Sequence, residues 1–217
     1  TLRLTHGPDW TDDSTRSAGT ALTAVNGIKL NSVAITNGPA ASRGTWVGTT
    51  RSNGSSQLDW IFGGLAVGGT AAFFYVWNAY NRRDVASISS DSTNSWTLAA
   101  TSTRSANNST AMRASFVCGA QEDEFYAGYF GNCAGGSGSG QGAHGVGFDS
   151  TSVFSGLCGY NSRSDSSLPV GGQYATTTLG AHYFQALESA QIAGTATFVG
   201  DAGVSYHQNG LIFRGRM

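Results

Sequence analysis

A helix's 3.6-residue period is nearly absent from this chain. Apolar residues come instead in short runs or in alternation, cut every few residues by Gly, Asn, Asp or Ser. That is the pattern of strands joined by tight turns. Asn26-Gly27 is the sharpest signal. It separates the apolar runs 22–25 and 28–30, and a type I′ hairpin turn needs two residues that tolerate positive φ. Further strands are predicted over 33–36, 45–50, 58–62, 125–130, 144–148, 174–178, 195–199 and 211–213, with Leu58, Trp60 and Phe62 on one face. Residues 70–77 are apolar and β-favouring throughout, which predicts one central strand buried on both faces. Met112, Ala114, Phe116 and Cys118 alternate with Arg113 and Ser115, the pattern of a half-exposed strand. Residues 181–190 fit either period and are read as a strand, because everything around them is β. Strands this short and this regularly punctuated predict an all-β fold. An antiparallel β-sandwich or a jelly-roll-like domain with Gly/Ser-rich loops fits them.

The 217 residues are read as a single β domain, 1–217, with a sub-boundary near 134–141, the Gly/Ser-rich stretch, as the place where it would divide. That stretch is short, and a loop inside one domain is the preferred reading. Charged residues make up only 12%, so contact with water falls to Ser, Thr, Asn, Gln and Gly. The net charge is −1 and Lys29 is the only lysine. No basic stripe exists to neutralise phosphates, which disfavours nucleic acid as a partner. No apolar run approaches the length of a membrane span. Three cysteines, Cys118, Cys133 and Cys158, are an odd number. They are read as three buried thiols with no disulfide.

Sequence motifs for chemistry are few. Gly140, Gly142 and Gly145 match G-x-G-x-x-G, but a Ser/Gly loop precedes them and no helix pattern follows, so a flexible loop is the better reading. His6, His144, His182 and His207 lie far apart in sequence. Gln121-Glu122-Asp123-Glu124 and the group Asp9, Asp12 and Asp13 are read as solvated turns. Glu122, Asp123 and Glu188 are the carboxylates to substitute if the chain cleaves glycans, since glycoside hydrolysis needs two carboxylates about one bond. No catalytic, cofactor-binding or metal-binding residue is assigned, no cofactor is expected, and the chain is read as non-enzymatic. Trp10, Trp46, Trp60, Trp77 and Trp96 are an aromatic surplus suited to core packing, sugar stacking or a subunit interface.

Several stretches resemble a family of bacteriophage virion proteins of the tail-fibre and tail-spike kind. They are WTDDSTR at Trp10 to Arg16, GTWVGTTR at Gly44 to Arg51, and the most distinctive, VWNAYNR at Val76 to Arg82. SWT at Ser95, RSAN at Arg104, Phe116-Val117 with Gln121 to Asp123, and Leu179-Gly180 leading to FQALE at Phe184 extend the resemblance to about residue 200. The resemblance implies a virion location and carries no catalytic residues. It implies a tail fibre, tail spike or head fibre that presents loops to a host surface or to other virion proteins. A capsid decoration protein and a carbohydrate-binding or capsule-depolymerising domain are the alternatives. Low charge with many aromatics points to a homo-oligomer. The trimeric state, the phage partners and a host surface glycan as partner come from the resemblance alone.

Overall fold

The computed structural model describes residues 4–64, 70–121, 123–135, 141–161, 168–176, 178–190, 194–204 and 208–217. These residues form seventeen strands and two short 3-10 turns, with no α-helix among them. In chain order the first nine strands are β1 (Leu22–Val25), β2 (Ile28–Asn31), β3 (Gly48–Thr50), β4 (Trp60–Ile61), β5 (Ala72–Phe74), β6 (Val76–Asn78), β7 (Asp84–Ser89), β8 (Ser95–Leu98) and β9 (Arg104–Ser105). The rest are β10 (Arg113–Cys118), β11 (Phe125–Gly135), β12 (Gly142–Phe148), β13 (Ser155–Asn161), β14 (Leu168–Thr176), β15 (Gly180–Ala190), β16 (Ala196–Val199) and β17 (Gly210–Arg216).

Thirteen of these strands form one hydrogen-bonded system that folds over on itself. One layer runs β4-β5-β10-β15-β12-β13, and the other carries β14-β11-β16-β8 with β17 and β7. The single pair Leu157↔Gln173 joins β13 to β14. Long strands organise each layer. β15 takes β12 along one edge and β10 then β9 along the other. β11 takes β14 along one edge and β17 then β16 along the other. Rings meet between the layers: Phe116 stacks on Phe125 at 4.4 Å, Phe74 stacks on Phe213 at 5.1 Å, and His144 stands edge-on to Tyr129 at 4.7 Å. The fold is therefore all-β and sandwich-like, as the sequence predicts.

The Asn26-Gly27 hairpin is confirmed. β1 pairs with β2, and both turn residues have positive φ, 50° and 81°. Residues 181–190 are indeed strand, lying within β15. Three expectations are corrected. Residues 70–77 do not make one strand. β5 ends at Phe74, Tyr75 donates to the Asp59 carbonyl, and β6 leaves to pair with β3. β5 is also next to the edge rather than central, and its pairing with β10 is parallel. Residues 33–36 form no strand, because the buried Asn31 amide takes the carbonyls of Val33 and Ala40 and holds the segment as a turn. β10 is not half-exposed. The β3–β6 ribbon packs on its outer face, so even Ser115 is buried.

The cysteines also differ from expectation. Cys118 and Cys133 are buried thiols, but Cys158 is exposed. All three are free. Reduction is expected to leave the mass unchanged, and native alkylation at alkaline pH should modify Cys158 alone. Two daltons gained on reduction, or rapid labelling of all three cysteines, would contradict this arrangement.

Candidate functional site

The N-terminal segment before β1 crosses the outer face of the β3–β6 ribbon, and side chains from five places in the sequence form a stack there. The Arg16 guanidinium lies 4.7 Å from the Trp10 ring and 5.0 Å from the Trp46 ring. Trp46 stacks on Trp77 at 5.2 Å and 19°. Arg82 covers the far face of this ladder, 4.6 Å from Trp77. Cation–π pairs of this kind contribute about 0.5–2 kcal/mol each, more when water is excluded.

Fixed hydrogen bonds anchor the ladder. Arg16 donates to the Gly119 carbonyl at 3.0 Å, and burial lowers its pKa. Gly119 also admits the Trp77 ring, since a Cβ there would collide with it. Trp77 Nε1 donates to Asp123 at 3.0 Å, and Arg82 pairs with the same carboxylate oxygen. Asp123 is thus buried beneath an indole and a guanidinium, not in the solvated turn expected of the acidic cluster. Glu124 is exposed, and Glu122 lies outside the described residues. Asn78 caps the strand end by accepting from the Tyr80 and Asn81 amides at 2.9 Å.

Beside the ladder lies an open cleft of about 1610 Å³ between the N-terminal segment, residues 31–52 and β6. Arg51 holds one rim by gripping Asp13 with two bonds of 2.9 Å and donating to the Tyr75 hydroxyl. The Ala181 amide donates to the Asp13 carbonyl at 2.6 Å, which pins the segment to the start of β15. Asp9 and Asp12 are exposed, and Asp12 accepts from the Ser14 amide, which lowers its pKa. Trp46 has Arg16 near one side and Trp77 stacked on it, so its ring is a poor free platform for a sugar.

The other carboxylate and histidine candidates are spread through the fold. Glu188 is fully buried in β15, where it accepts from Trp96 Nε1 at 2.6 Å and Arg104 Nε at 2.8 Å. Burial raises its pKa, and these two donors oppose the rise. His6 is exposed, and His207 lies outside the described residues. His144 is buried between the layers. Gly142 opens β12 and Gly145 lies inside it, so strand rather than helix follows the glycines, and Gly140 lies outside the described residues. Among the described residues no group of three or more His, Cys, Asp or Glu side chains is placed to hold a metal ion.

His182 faces two acceptors, Asp149 at 2.6 Å and the Leu179 carbonyl at 2.9 Å. Both ring nitrogens donate only in the imidazolium form. Burial pulls its pKa down, but the bonds to Asp149 and Leu179 outweigh that and raise it above 6.5. A raised folded-state pKa gives stability that is complete below the unfolded value and lost as pH rises through the folded one. Denaturant midpoints are therefore expected to fall as pH rises above 6.5, and His182→Gln should flatten that fall. An unchanged slope in the variant would count against the imidazolium.

Sequence reasoning named the five tryptophans but did not pair any of them with arginine. Arg16 and Trp46 lie thirty residues apart, and no local spacing announces their contact. The nearest signal is that the ladder residues fall in three of the resembling stretches, WTDDSTR, GTWVGTTR and VWNAYNR. No protein-family model matches this chain, and no curated protein matches it. Among the described residues no helix is long and apolar enough to cross a membrane.

Proposed function

We propose that this chain is a non-enzymatic structural protein of a bacteriophage particle, set as a homo-oligomer in a tail fibre, tail spike or head fibre. The observation that carries the oligomeric part is an apolar rim at the edge of the sandwich. Leu58, Trp60, Ile61 and Phe62 cluster around β4, and each is between 40% and 54% exposed. β4 pairs only with β5 among the described strands. Trp60 and Phe62 stand edge-on to the buried Phe74, which fixes them in place as a rigid surface. Soluble monomers seldom leave such a patch uncovered, and an unpaired apolar edge strand invites association. Closed symmetry covers it without runaway assembly.

The virion setting rests on the resemblance of the VWNAYNR and related stretches. Three-fold symmetry comes from the same source. The ladder also supports a structural role, because the strand-end arginine and its neighbouring carboxylate spend their charges on each other rather than on a substrate.

Sedimentation equilibrium on the isolated protein is the direct test. A homo-oligomer is expected at micromolar concentration, and Ile61→Asp should shift it to monomer with its circular dichroism unchanged. A monomeric wild type would overturn the oligomer. Immunogold labelling of intact particles tests location, and its absence from projections would overturn the fibre assignment. Steady release of reducing ends from host polysaccharide, abolished by Asp123→Asn or Glu188→Gln, would replace the structural reading with a depolymerase.

A further inference from the structure

The β3–β6 ribbon has one open edge. The Arg51 amide donates to the Tyr75 carbonyl and the Ala79 amide to the Val47 carbonyl, and Thr49 stands opposite Trp77 between these two pairs. Bonded and non-bonded pairs alternate along an antiparallel ladder. Residues 47, 49 and 51 therefore turn their backbone groups to β6, and the N–H and C=O of Gly48 and Thr50 point away from it. The neighbour on that far side stops short. Trp46 donates to the Lys29 carbonyl, but the β1–β2 hairpin then turns back at Asn26-Gly27. Gly48 and Thr50 have no backbone partner there among the described residues. Both line the open cleft, as does Thr49, whose hydroxyl is buried without a partner.

A segment with the pattern of a strand belongs to the same cleft. Residues 1–6 read TLRLTH, which places Leu2 and Leu4 on one face and Thr1, Arg3 and Thr5 on the other. The structure describes this segment from Leu4. Residues 4–7 are exposed, lie in no strand and make no hydrogen bond among the described residues, and Leu4 is 86% exposed. They line the cleft of their own chain yet do not pair with its open edge. Pro8 packs against Gly19 in the 3-10 turn, so the segment leaves from a fixed point.

We propose that the open edge of β3 takes up residues 1–6 of a second copy of this chain as an added strand. Strand addition gives the edge N–H and C=O groups their partners, and alternate side chains of the incoming strand supply specificity. Val47, 47% exposed beside that edge, offers Leu2 and Leu4 an apolar neighbour. Charge fits as well. Arg16 is stacked on tryptophans and Arg51 grips Asp13. Asp9 and Asp12 then outnumber Arg43 on the cleft wall among the described residues, which suits an incoming Arg3. Reciprocal exchange within a closed assembly satisfies every edge. The inference rests on the homo-oligomer proposed above, and it adds a contact separate from the apolar rim at β4.

Photo-crosslinking on the full chain tests it. Leu4→p-benzoylphenylalanine of ordinary isotopic composition is unfolded, mixed with isotopically heavy wild type, refolded together and irradiated. After trypsin, the peptide 4–16 should be joined to the heavy form of the peptide 44–51, which comes only from another chain. Thr50→Pro removes an N–H from the open edge without touching the β3–β6 bonds, and made in the heavy chain it should abolish that product. Joining to the light form alone would mean that the segment closes on its own chain, and would overturn the proposal. So would attachment elsewhere, no attachment, or a product unchanged by Thr50→Pro. The cross-link to unaltered heavy chain decides the matter if Thr50→Pro does not fold. A wild type that sediments as an oligomer without the heavy product sinks the strand exchange and leaves the homo-oligomer standing, whereas a monomeric wild type sinks both.

Discussion

Phe74→Ala is expected to destabilise the protein by about 3–5 kcal/mol, the usual range for removing a fully buried aromatic ring. Phe74 is 0% exposed. Its ring stacks on Phe213 from the opposite layer at 5.1 Å, and meets Trp60 and Phe62, each at 5.3 Å. It therefore joins the apolar rim to the core, and truncation leaves a cavity that rigid strands on both sides cannot close. Urea unfolding with an unchanged m-value should report the loss. The same variant should loosen the rim, so the assembly measured by sedimentation should weaken with it. A loss below about 1 kcal/mol would mean the ring does not carry that load.

That ring also shows how far the sequence was legible. An apolar run at 70–77 correctly announced burial, but burial does not reveal partners. The switch at Tyr75, where the chain leaves one sheet for another, depends on the Asp59 and Arg51 backbone groups, which are distant in sequence. Hairpin contacts such as Asn26-Gly27 are local and were readable. Strands whose inward residues are small and polar were not. β7 turns Ser87 and Ser89 inward alongside Val85, so no apolar alternation marks it, although its exposure alternates cleanly. β13 was hidden for the opposite reason, because Leu157 and Tyr160 are exposed on a Gly-containing strand.

The candidate site was less legible still. Asp123 looked like part of a solvated acidic turn, yet Trp77 and Arg82 cover it. Glu188 looked like a candidate carboxylate, yet it lies under Trp96 and Arg104. In both cases the partner that decides the environment is more than forty residues away. Charge is scarce in this chain, so the few carboxylates that turn inward are paired, which single-residue reading cannot see. The same limitation applied to His144, whose register opposite Glu188 on β15 appears only once the strands are aligned.

His144 gives the second large effect, a loss of stability in acid. Its burial pushes its pKa from 6.5 down to about 3. The unfolded chain then takes up the proton first. Stability is complete above 6.5 and falls as pH drops toward the folded value, by about 5 kcal/mol in all and about 3 kcal/mol by about pH 4.5. Two other groups titrate in the opposite sense. His182, with a raised pKa, has its contribution complete by 6.5, before His144 begins to act. Glu188 is also raised, so it offsets part of the loss between its folded pKa and 4.5. Tyr129 and Cys133, which burial pushes upward, stay neutral throughout this window. The contribution of His144 is therefore read as a difference. His144→Phe keeps a ring against Tyr129 and Phe198 and leaves Glu188 in place, so only the histidine titration disappears. Urea midpoints for the two proteins should diverge as pH falls from neutrality, with the wild type losing stability faster. A constant offset at every pH would report packing alone and would remove His144 as the cause of acid lability.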